Sequence, residues 1–135
     1  MCGINLGLEV FGDKWSLLII RDLMFDGKRS YGEFLNSEEK IATNILGDRL
    51  DMLEKEGIVI KKQDPGHKQK MIYMLTEKGI DLMPVLIAIG DWSIKYKPVD
   101  AKFIADVKKA KADDEKGLKE TRQQLLKIYK NEVVS

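Results

Sequence analysis

The sequence is short of the residues from which most metal and catalytic sites are built. It contains one cysteine, Cys2, and one histidine, His67, in 135 residues. A single cysteine excludes a disulfide framework within the chain, and we therefore expect a reducing, cytoplasmic location. A metal site would need roughly two or three further nitrogen or sulfur ligands. We expect neither a metal nor another cofactor.

Long apolar runs and the common enzyme motifs are also missing. No apolar run approaches the length of a membrane span, and no basic segment followed by an apolar core marks a signal peptide. There is no glycine-rich phosphate loop, no nucleophile elbow and no nucleophile paired with a base. These absences predict a protein that is neither an enzyme nor a membrane protein.

An excess of charge of one sign is absent as well. The net charge is +1, so the overall charge indicates no class of partner. A nucleic-acid-binding surface would therefore have to be local. The chain is long enough for one domain whose core needs neither disulfides nor a metal.

The first part of the chain has the spacing of several helices. Apolar residues recur at helical intervals over residues 4–11 and again after Asp13, which is a good capping residue. Asp26-Gly27 predicts the end of the second helix. Ser30 with Glu33 three residues later predicts a capping box and a short third helix.

The middle of the chain predicts a fourth helix and a β-hairpin. The helix covers residues 42–56, and Gly57 is expected to end it in the left-handed conformation. Two β-rich runs follow within residues 58–75, and Pro65-Gly66 predicts the turn between them.

The rest of the chain predicts one long helix and a polar tail. Thr76 is expected to cap a helix that ends at Pro98, with a kink at Pro84. Residues 98–135 carry only a sparse apolar stripe, so we expect them to need the body of the protein or another subunit.

Two short helices followed by a basic hairpin are typical of the winged helix-turn-helix. Its second helix must bury one side and present small or polar side chains that fit a major groove about 12 Å wide. At about 100° per residue, the apolar side of helix 42–56 holds Ala42, Ile45, Leu46, Leu50, Met52 and Leu53. The other side holds Thr43, Asn44, Gly47, Asp48, Asp51 and Lys55.

The polar side of this helix carries the candidate base-reading residues. Thr43 and Asn44 lie in the first turn, and asparagine is the natural bidentate partner of adenine. Gly47 costs about 1 kcal/mol relative to alanine inside a helix, and we interpret it as room for close approach to a DNA strand. Asp48 is either a solvated residue or an acceptor for a cytosine amino group. Arg49 falls on the apolar side, where we expect an ion pair with a carboxylate, with a phosphate contact as the alternative.

The carboxylates that we consider for Arg49 are Asp22 and Glu33.

The hairpin supplies the positive charge, because four lysines and one acid between Val59 and Ile72 give a local charge of +3. Such a wing would reach phosphates or the minor groove. Its candidate DNA contacts are Lys61, Lys62, His67, Lys68 and Lys70, of which His67 has solvation as the alternative. The start of the third helix adds Lys28, Arg29, Ser30 and Tyr31 near a helix N-terminus that attracts phosphate.

Four segments resemble the HxlR-type transcriptional regulators, which are relatives of the MarR winged-helix proteins. The segments read GDKWSLLIIRDL, KRSYGEF, IATNILGDRLDMLEKEGIV and YMLTEKGIDLMPVLIAIGDW, and the resemblance runs from Cys2 to Trp92. It implies a homodimeric bacterial DNA-binding regulator whose N- and C-terminal helices form the dimer. The family usually has serine where Ala42 stands, which makes Thr43 the expected cap.

The resemblance also bears on Cys2. Several family members sense oxidants or electrophiles through a cysteine in an N-terminal CP motif, and Cys2 of the sequence CGI occupies the matching place. From the residues alone an inert thiol is favoured, because no helix dipole or basic neighbour is evident to lower its pKa. Both an inert thiol and a redox sensor stay open.

We therefore predict a mostly α, α+β fold, a winged helix-turn-helix with a two-stranded β-hairpin wing and flanking dimerisation helices. Residues 1–97 would form the DNA-binding domain, and residues 98–135 a helical extension for dimerisation. The predicted function is a homodimeric transcriptional regulator on a pseudo-palindromic site in double-stranded DNA, controlled by an unknown small molecule or oxidant. The alternative is a winged-helix protein-interaction module, to which Asp48 and Asp51 give weight.

Overall fold

Among the described residues, helices make up most of the fold, together with one antiparallel pair of strands. The computed structural model describes residues 1–112 and 123–131. The elements are α1 (Gly3–Phe11), α2 (Lys14–Phe25), α3 (Tyr31–Leu35), α4 (Thr43–Lys55), β1 (Val59–Asp64), β2 (His67–Leu75), α5 (Glu77–Ile80), α6 (Met83–Tyr96) and α7 (Ala101–Ala112). Residues 123–131 are also helical. The predicted mostly α fold with a β-hairpin is confirmed.

The ends of α2 follow the signals in the sequence. Asp13 accepts a hydrogen bond from the backbone N–H of Ser16 at 3.0 Å and so caps the first turn. Asp26 is the C-cap, and Gly27 follows with a φ of +65°, a conformation that glycine adopts without steric penalty. Both predicted boundaries of this helix are confirmed.

The start of α3 differs from the predicted capping box. The Ser30 hydroxyl donates to the Glu33 carboxylate at 3.0 Å, and that carboxylate also accepts from the backbone N–H of Arg29 at 3.2 Å. Because the Ser30 hydroxyl is turned towards Glu33, it does not cap an N–H of the first turn. The two side chains interact, but not in the reciprocal form that the sequence predicts.

Helix α4 is anchored by its apolar side. Leu46, Leu50 and Leu53 are all 0% exposed, and full burial of a leucine side chain contributes about 1.5–3 kcal/mol. The N-cap is Ala42, which is exposed and has no side-chain cap. The expectation that Thr43 caps the helix is wrong, because Thr43 already belongs to its first turn.

The hairpin is buried at its base and exposed at its tip. Val59 pairs with Leu75 at the buried end, and the register shifts between Gln63 and Asp64. Asp64 accepts from the backbone N–H of Gly66 at 2.9 Å, which closes the predicted Pro65-Gly66 turn. The predicted hairpin and its turn are confirmed.

The chain divides into two compact units, Met1–Gly79 and Ile80–Ser135. In the first unit, α4 packs against α2, α3 and β1, and α2 also contacts β2. The core of this unit therefore lies among α2, α3, α4 and the base of the hairpin. Its largest fully buried side chains are Phe34, Ile20, Leu46, Leu50, Leu53 and Ile58.

The predicted long helix with a kink at Pro84 is wrong. The Thr76 hydroxyl accepts from the backbone N–H of Gly79 at 3.2 Å and caps α5, as predicted. However, α5 ends at Ile80, and Pro84 stands in the first turn of the separate helix α6. Proline has no N–H to donate, and the first turn of a helix is the place where that donor is not needed.

In the second unit, α6 and α7 pack on each other. A Cβ added at Gly90 would lie 3.0 Å from Cζ of Phe103, so this glycine admits the aromatic ring. Lys111 and Asp91 form an ion pair at 3.0 Å.

The predicted functional boundary between residues 97 and 98 stays a prediction, and residues 113–122 and 132–135 of the predicted extension lie outside the described residues. None of the helices in the two described ranges is long and apolar enough to cross a bilayer.

Candidate nucleic-acid interface

The outer face of α4 comprises Thr43, Asn44, Gly47, Asp48 and Asp51. All of its side chains are exposed and Gly47 is half-buried, whereas the leucines on the opposite side of the helix are fully buried. The first turn therefore presents one hydroxyl and one amide to solvent on a helix whose opposite side is buried. Such groups can donate and accept hydrogen bonds at base edges in a major groove.

Gly47 lies beneath a tyrosine of the neighbouring helix. A Cβ at this position would be 3.1 Å from the hydroxyl oxygen of Tyr31, which is tighter than ordinary van der Waals contact. The structure thus supplies a reason for glycine that differs from our interpretation of close DNA approach. The Tyr31 ring also lies 6.1 Å from that of Tyr73, centroid to centroid. Burial raises the pKa of Tyr73, and the adjacent Tyr31 adds to the rise.

Arg49 forms an ion pair, but not with either expected carboxylate. Its Nε lies 2.9 Å from Oδ2 of Asp13, and its Nη1 donates to Asp48. Glu33 interacts instead with Ser30, and Asp22 with another arginine. Arg49 therefore joins the start of α2 to α4, and two carboxylates offset its charge.

The Asp13 carboxylate accepts several hydrogen bonds at once. Burial opposes its ionisation, but hydrogen bonds from Ser16 and the Arg49 guanidinium hold the pKa of this carboxyl below its usual range. The sequence identified Asp13 only as a helix cap. Its second role requires the packing of α2 against α4, which helical periodicity does not reveal.

A polar network fastens the segment between α3 and α4 to α2. The buried Asp22 accepts from Arg21 at 2.6 Å and from the Ser37 hydroxyl at 2.5 Å. Arg21 also donates to Glu39 at 2.8 Å, and this interaction lowers the pKa of Glu39 to about 2. Lys28 donates to Ser37 at 2.7 Å, so its ammonium group faces this network.

The wing carries its lysines on the exposed part of the hairpin. Lys61, His67, Lys68 and Lys70 are exposed, and Lys62 is half-buried. Lys61 pairs with Tyr73 in the strand register. The positive charge predicted from the sequence is therefore accessible along both strands.

The wing is tied to the start of α3. The backbone N–H of Tyr73 donates to the carbonyl of Arg29 at 2.7 Å. Burial opposes ionisation of Glu33, but the Arg29 N–H, the Ser30 hydroxyl and the nearby Lys70 together lower its pKa. The structure thus brings together Arg29, Ser30 and Lys70 of the predicted site residues.

Cys2 is exposed and is the N-cap of α1. The backbone N–H groups of Asn5 and Ile4 lower the pKa of its thiol. The expectation that no helix dipole acts on this thiol is wrong, because α1 begins at Gly3 and places Cys2 at the positive end of the helix.

No group of three histidine, cysteine, aspartate or glutamate side chains in residues 1–112 and 123–131 could hold a metal ion. Charged side chains around Arg21 and Arg49 instead form ion-paired networks. No buried side-chain polar atom of the described residues lacks a hydrogen-bond partner, which is typical of structural networks.

Comparison with known proteins agrees with this geometry. The sequence model of the HxlR-like helix-turn-helix family matches residues 10–101. YdeP of Bacillus subtilis strain 168, named as an uncharacterized HTH-type transcriptional regulator, is 33% identical over 96 residues, which cover 71% of this chain and 74% of that protein.

Solved structures give the same result. The reduced form of the transcriptional regulator YodB from B. subtilis has a TM-score of 0.60 and 33% identity, over 74% of this chain and 99% of YodB. The oxidized form of the redox regulator HypR has a TM-score of 0.63 and 31% identity, over 73% of this chain and 100% of HypR. This chain therefore belongs to the HxlR-like helix-turn-helix family of transcriptional regulators.

Proposed function

We propose that two copies of this chain bind one pseudo-palindromic site in double-stranded DNA. Each copy places the first turns of α4 in the major groove and lays its wing along the flanking backbone. Two-fold symmetry requires half-sites whose centres are about 10 bp apart, or a multiple of that spacing.

The observation that carries this proposal is the exposure of Thr43 and Asn44 at the start of a helix buried from behind. A side chain reads a base only if its donors and acceptors reach the base edge in a fixed orientation. Asn44 supplies both an amide donor and an acceptor, and this combination matches the N6 and N7 atoms of adenine.

The exposed lysines of the wing would contact phosphates. Lys61, Lys68 and Lys70 extend from the hairpin, and His67 lies beside them. Each neutralised phosphate releases counterions and adds to the salt dependence of binding. We assign Lys28 and Arg49 to structural interactions instead, because each already contacts partners within the protein.

Exposed apolar side chains on α1 and α6 support a homodimer. Ile4 is 75% exposed and Leu8 54% on α1, while Trp92 is 55% exposed and Tyr96 62% on α6. Clusters of large apolar side chains on a surface usually mark an interaction site. We propose that a second copy of the chain covers these helices.

We propose that Cys2 is the place where an oxidant acts. Its thiol is exposed at the N-terminus of α1, the helix whose apolar side chains would lie in the dimer interface. A lowered pKa increases the thiolate fraction, and the thiolate is the nucleophilic form. Oxidation of this thiol would change the separation of the two α4 helices in the dimer.

Selection from a random-sequence duplex pool, followed by fluorescence anisotropy at several salt concentrations, tests DNA binding. A DNA-binding regulator should enrich a two-fold symmetric site and show a steep decrease of log K with log salt. No enriched duplex and a flat salt dependence would support the protein-interaction module. Asp48 favours that module less than the sequence implies, because it is paired with Arg49.

A further inference from the structure

Tyr31 lies where α3, α4 and the wing meet. It is the first residue of α3, its hydroxyl reaches Gly47 in α4, and its ring packs near Tyr73 in β2. The two tyrosine rings are tilted by 48° at a centroid distance of 6.1 Å. One side chain of a short helix therefore contacts both elements that the proposed function assigns to DNA.

The Tyr31 hydroxyl oxygen lies close to the position that a Cβ at Gly47 would take. A Cβ at this position would lie 3.1 Å from the Tyr31 hydroxyl oxygen, and among the described residues no other heavy atom beyond the chain neighbours and the backbone of α4 comes within 4 Å. A glycine in the middle of a helix is unfavourable relative to alanine. At this site the glycine leaves the room that the tyrosine oxygen occupies.

The Tyr31 ring also lies beside a tyrosine of the wing. Tyr73 is only 4% exposed, and its ring also lies 6.4 Å from that of the buried Phe34. In the strand register it stands opposite Lys61. Because Tyr73 is buried in the core, the Tyr31 ring lies beside a side chain that is itself closely packed.

We propose that Tyr31 is a positioning residue that sets the distance between α4 and the wing, with Gly47 as its socket. This inference rests on the DNA binding proposed above. Hydrogen bonds to base edges tolerate only small changes in distance. If the wing is already bound to the DNA backbone, a displacement of α4 by a few tenths of an ångström weakens the hydrogen bonds to bases. Specific affinity therefore falls more than non-specific affinity.

A mutant cycle of Gly47→Ala, Tyr31→Phe and the double variant tests the proposal. We expect Gly47→Ala to lower affinity for the selected duplex about tenfold, with a smaller loss on a scrambled duplex. Tyr31→Phe removes the oxygen and keeps the ring, so its loss should be smaller. In the double variant the alanine methyl group takes the place of the oxygen, and affinity should recover.

Gly32→Ala is the matched control. Gly32 follows Tyr31 in α3, and a Cβ there would come within 4 Å of no heavy atom in the part of the chain that the structure describes, apart from its own neighbours in α3. Its effect should be the same with tyrosine or phenylalanine at position 31. Circular dichroism of each variant confirms that equal folded fractions enter the binding assay.

Three results would overturn the proposal. One is an affinity loss from Gly47→Ala that is the same in the Tyr31→Phe background, which would mean that Gly47 makes room for the DNA itself. Another is full affinity in Gly47→Ala. The third result is a stability measurement, and it is needed if the unaltered protein binds no duplex and the proposed DNA binding itself fails. Urea unfolding of the same four proteins then decides, and additive changes in stability would show that Tyr31 does not occupy a socket at Gly47.

Discussion

Replacing Asp13 by alanine tests how α2 is joined to α4. Its Oδ2 accepts from the Ser16 N–H at 3.0 Å and lies 2.9 Å from Nε of Arg49. Loss of an N-cap side chain costs about 1 kcal/mol. The Asp13 and Arg49 side chains are 30% and 31% exposed, and such a pair contributes about 0.2–1 kcal/mol. We therefore expect the free energy of unfolding to fall by about 1–2 kcal/mol.

Urea denaturation followed by circular dichroism measures this change. Asp13→Ser is the matched control, because serine is an equally good N-cap but lacks the charge that pairs with Arg49. It should retain the cap contribution and lose about 0.2–1 kcal/mol. If Asp13→Ser proves as damaging as Asp13→Ala, the cap contributes nothing and our reasoning fails.

The pH dependence gives a second test of the same residue. Hydrogen bonds and the Arg49 charge lower the pKa of Asp13 in the folded protein, against the effect of burial. Its contribution to stability is therefore complete above the usual aspartate pKa and is lost as the pH falls through the lowered value. The stability difference between the unaltered protein and Asp13→Ala should shrink in acid. A difference that stays constant would refute the ionic part of the argument.

The other predictions concern DNA binding and its control. Asn44→Ala should cost about 1–3 kcal/mol on the selected duplex and little on random DNA; equal losses in anisotropy titrations would show that Asn44 reads no base. Replacing Lys68 and Lys70 by glutamine should weaken binding to every duplex and flatten the salt slope, and an unchanged slope would exclude them as phosphate contacts. Diamide, which accepts two electrons and two protons as the Cys2 thiols of two copies join in a disulfide, should change DNA affinity in the unaltered protein; the same response in Cys2→Ser, which has no thiol, would show that Cys2 is not the sensor. Deleting residues 99–135 should weaken the dimer in analytical ultracentrifugation, whereas a deletion variant that stays dimeric at low micromolar concentration would refute that role.

The elements defined by local signals were predictable from the sequence. Asp13 as a cap, Gly57 as a left-handed helix end and Pro65-Gly66 as a hairpin turn each depend on a few neighbouring residues. Pro84 shows the limit of this reasoning. The sequence indicates that a helix is disturbed near this proline, but a kink and a new helix start satisfy the missing N–H equally well.

Contacts between distant residues were not predictable in the same way. The position of Arg49 on the apolar side of its helix showed that it needs a carboxylate, yet the choice of Asp13 depends on how α2 packs against α4. The contact of Tyr31 with Gly47 likewise joins two helices. A helical projection gives the direction of a side chain but not the neighbour that it meets.

Small errors at the boundaries of elements also changed chemical conclusions. The predicted first helix began one residue too late, and this displaced Cys2 from the N-cap position that it occupies. One residue decides whether the thiol lies at the positive end of a helix. Boundaries are the least certain part of any pattern-based assignment.

The separation of roles around α4 has an evolutionary consequence. Leu46, Leu50 and Leu53 hold the helix in place, while Thr43 and Asn44 make little contact with the interior. Exchanging the latter two should leave the protein folded, since surface substitutions usually change stability by less than about 0.5 kcal/mol. One or two codon changes can then give recognition of a new target sequence. A duplicated gene could thus acquire its own set of regulated genes without first gaining extra stability.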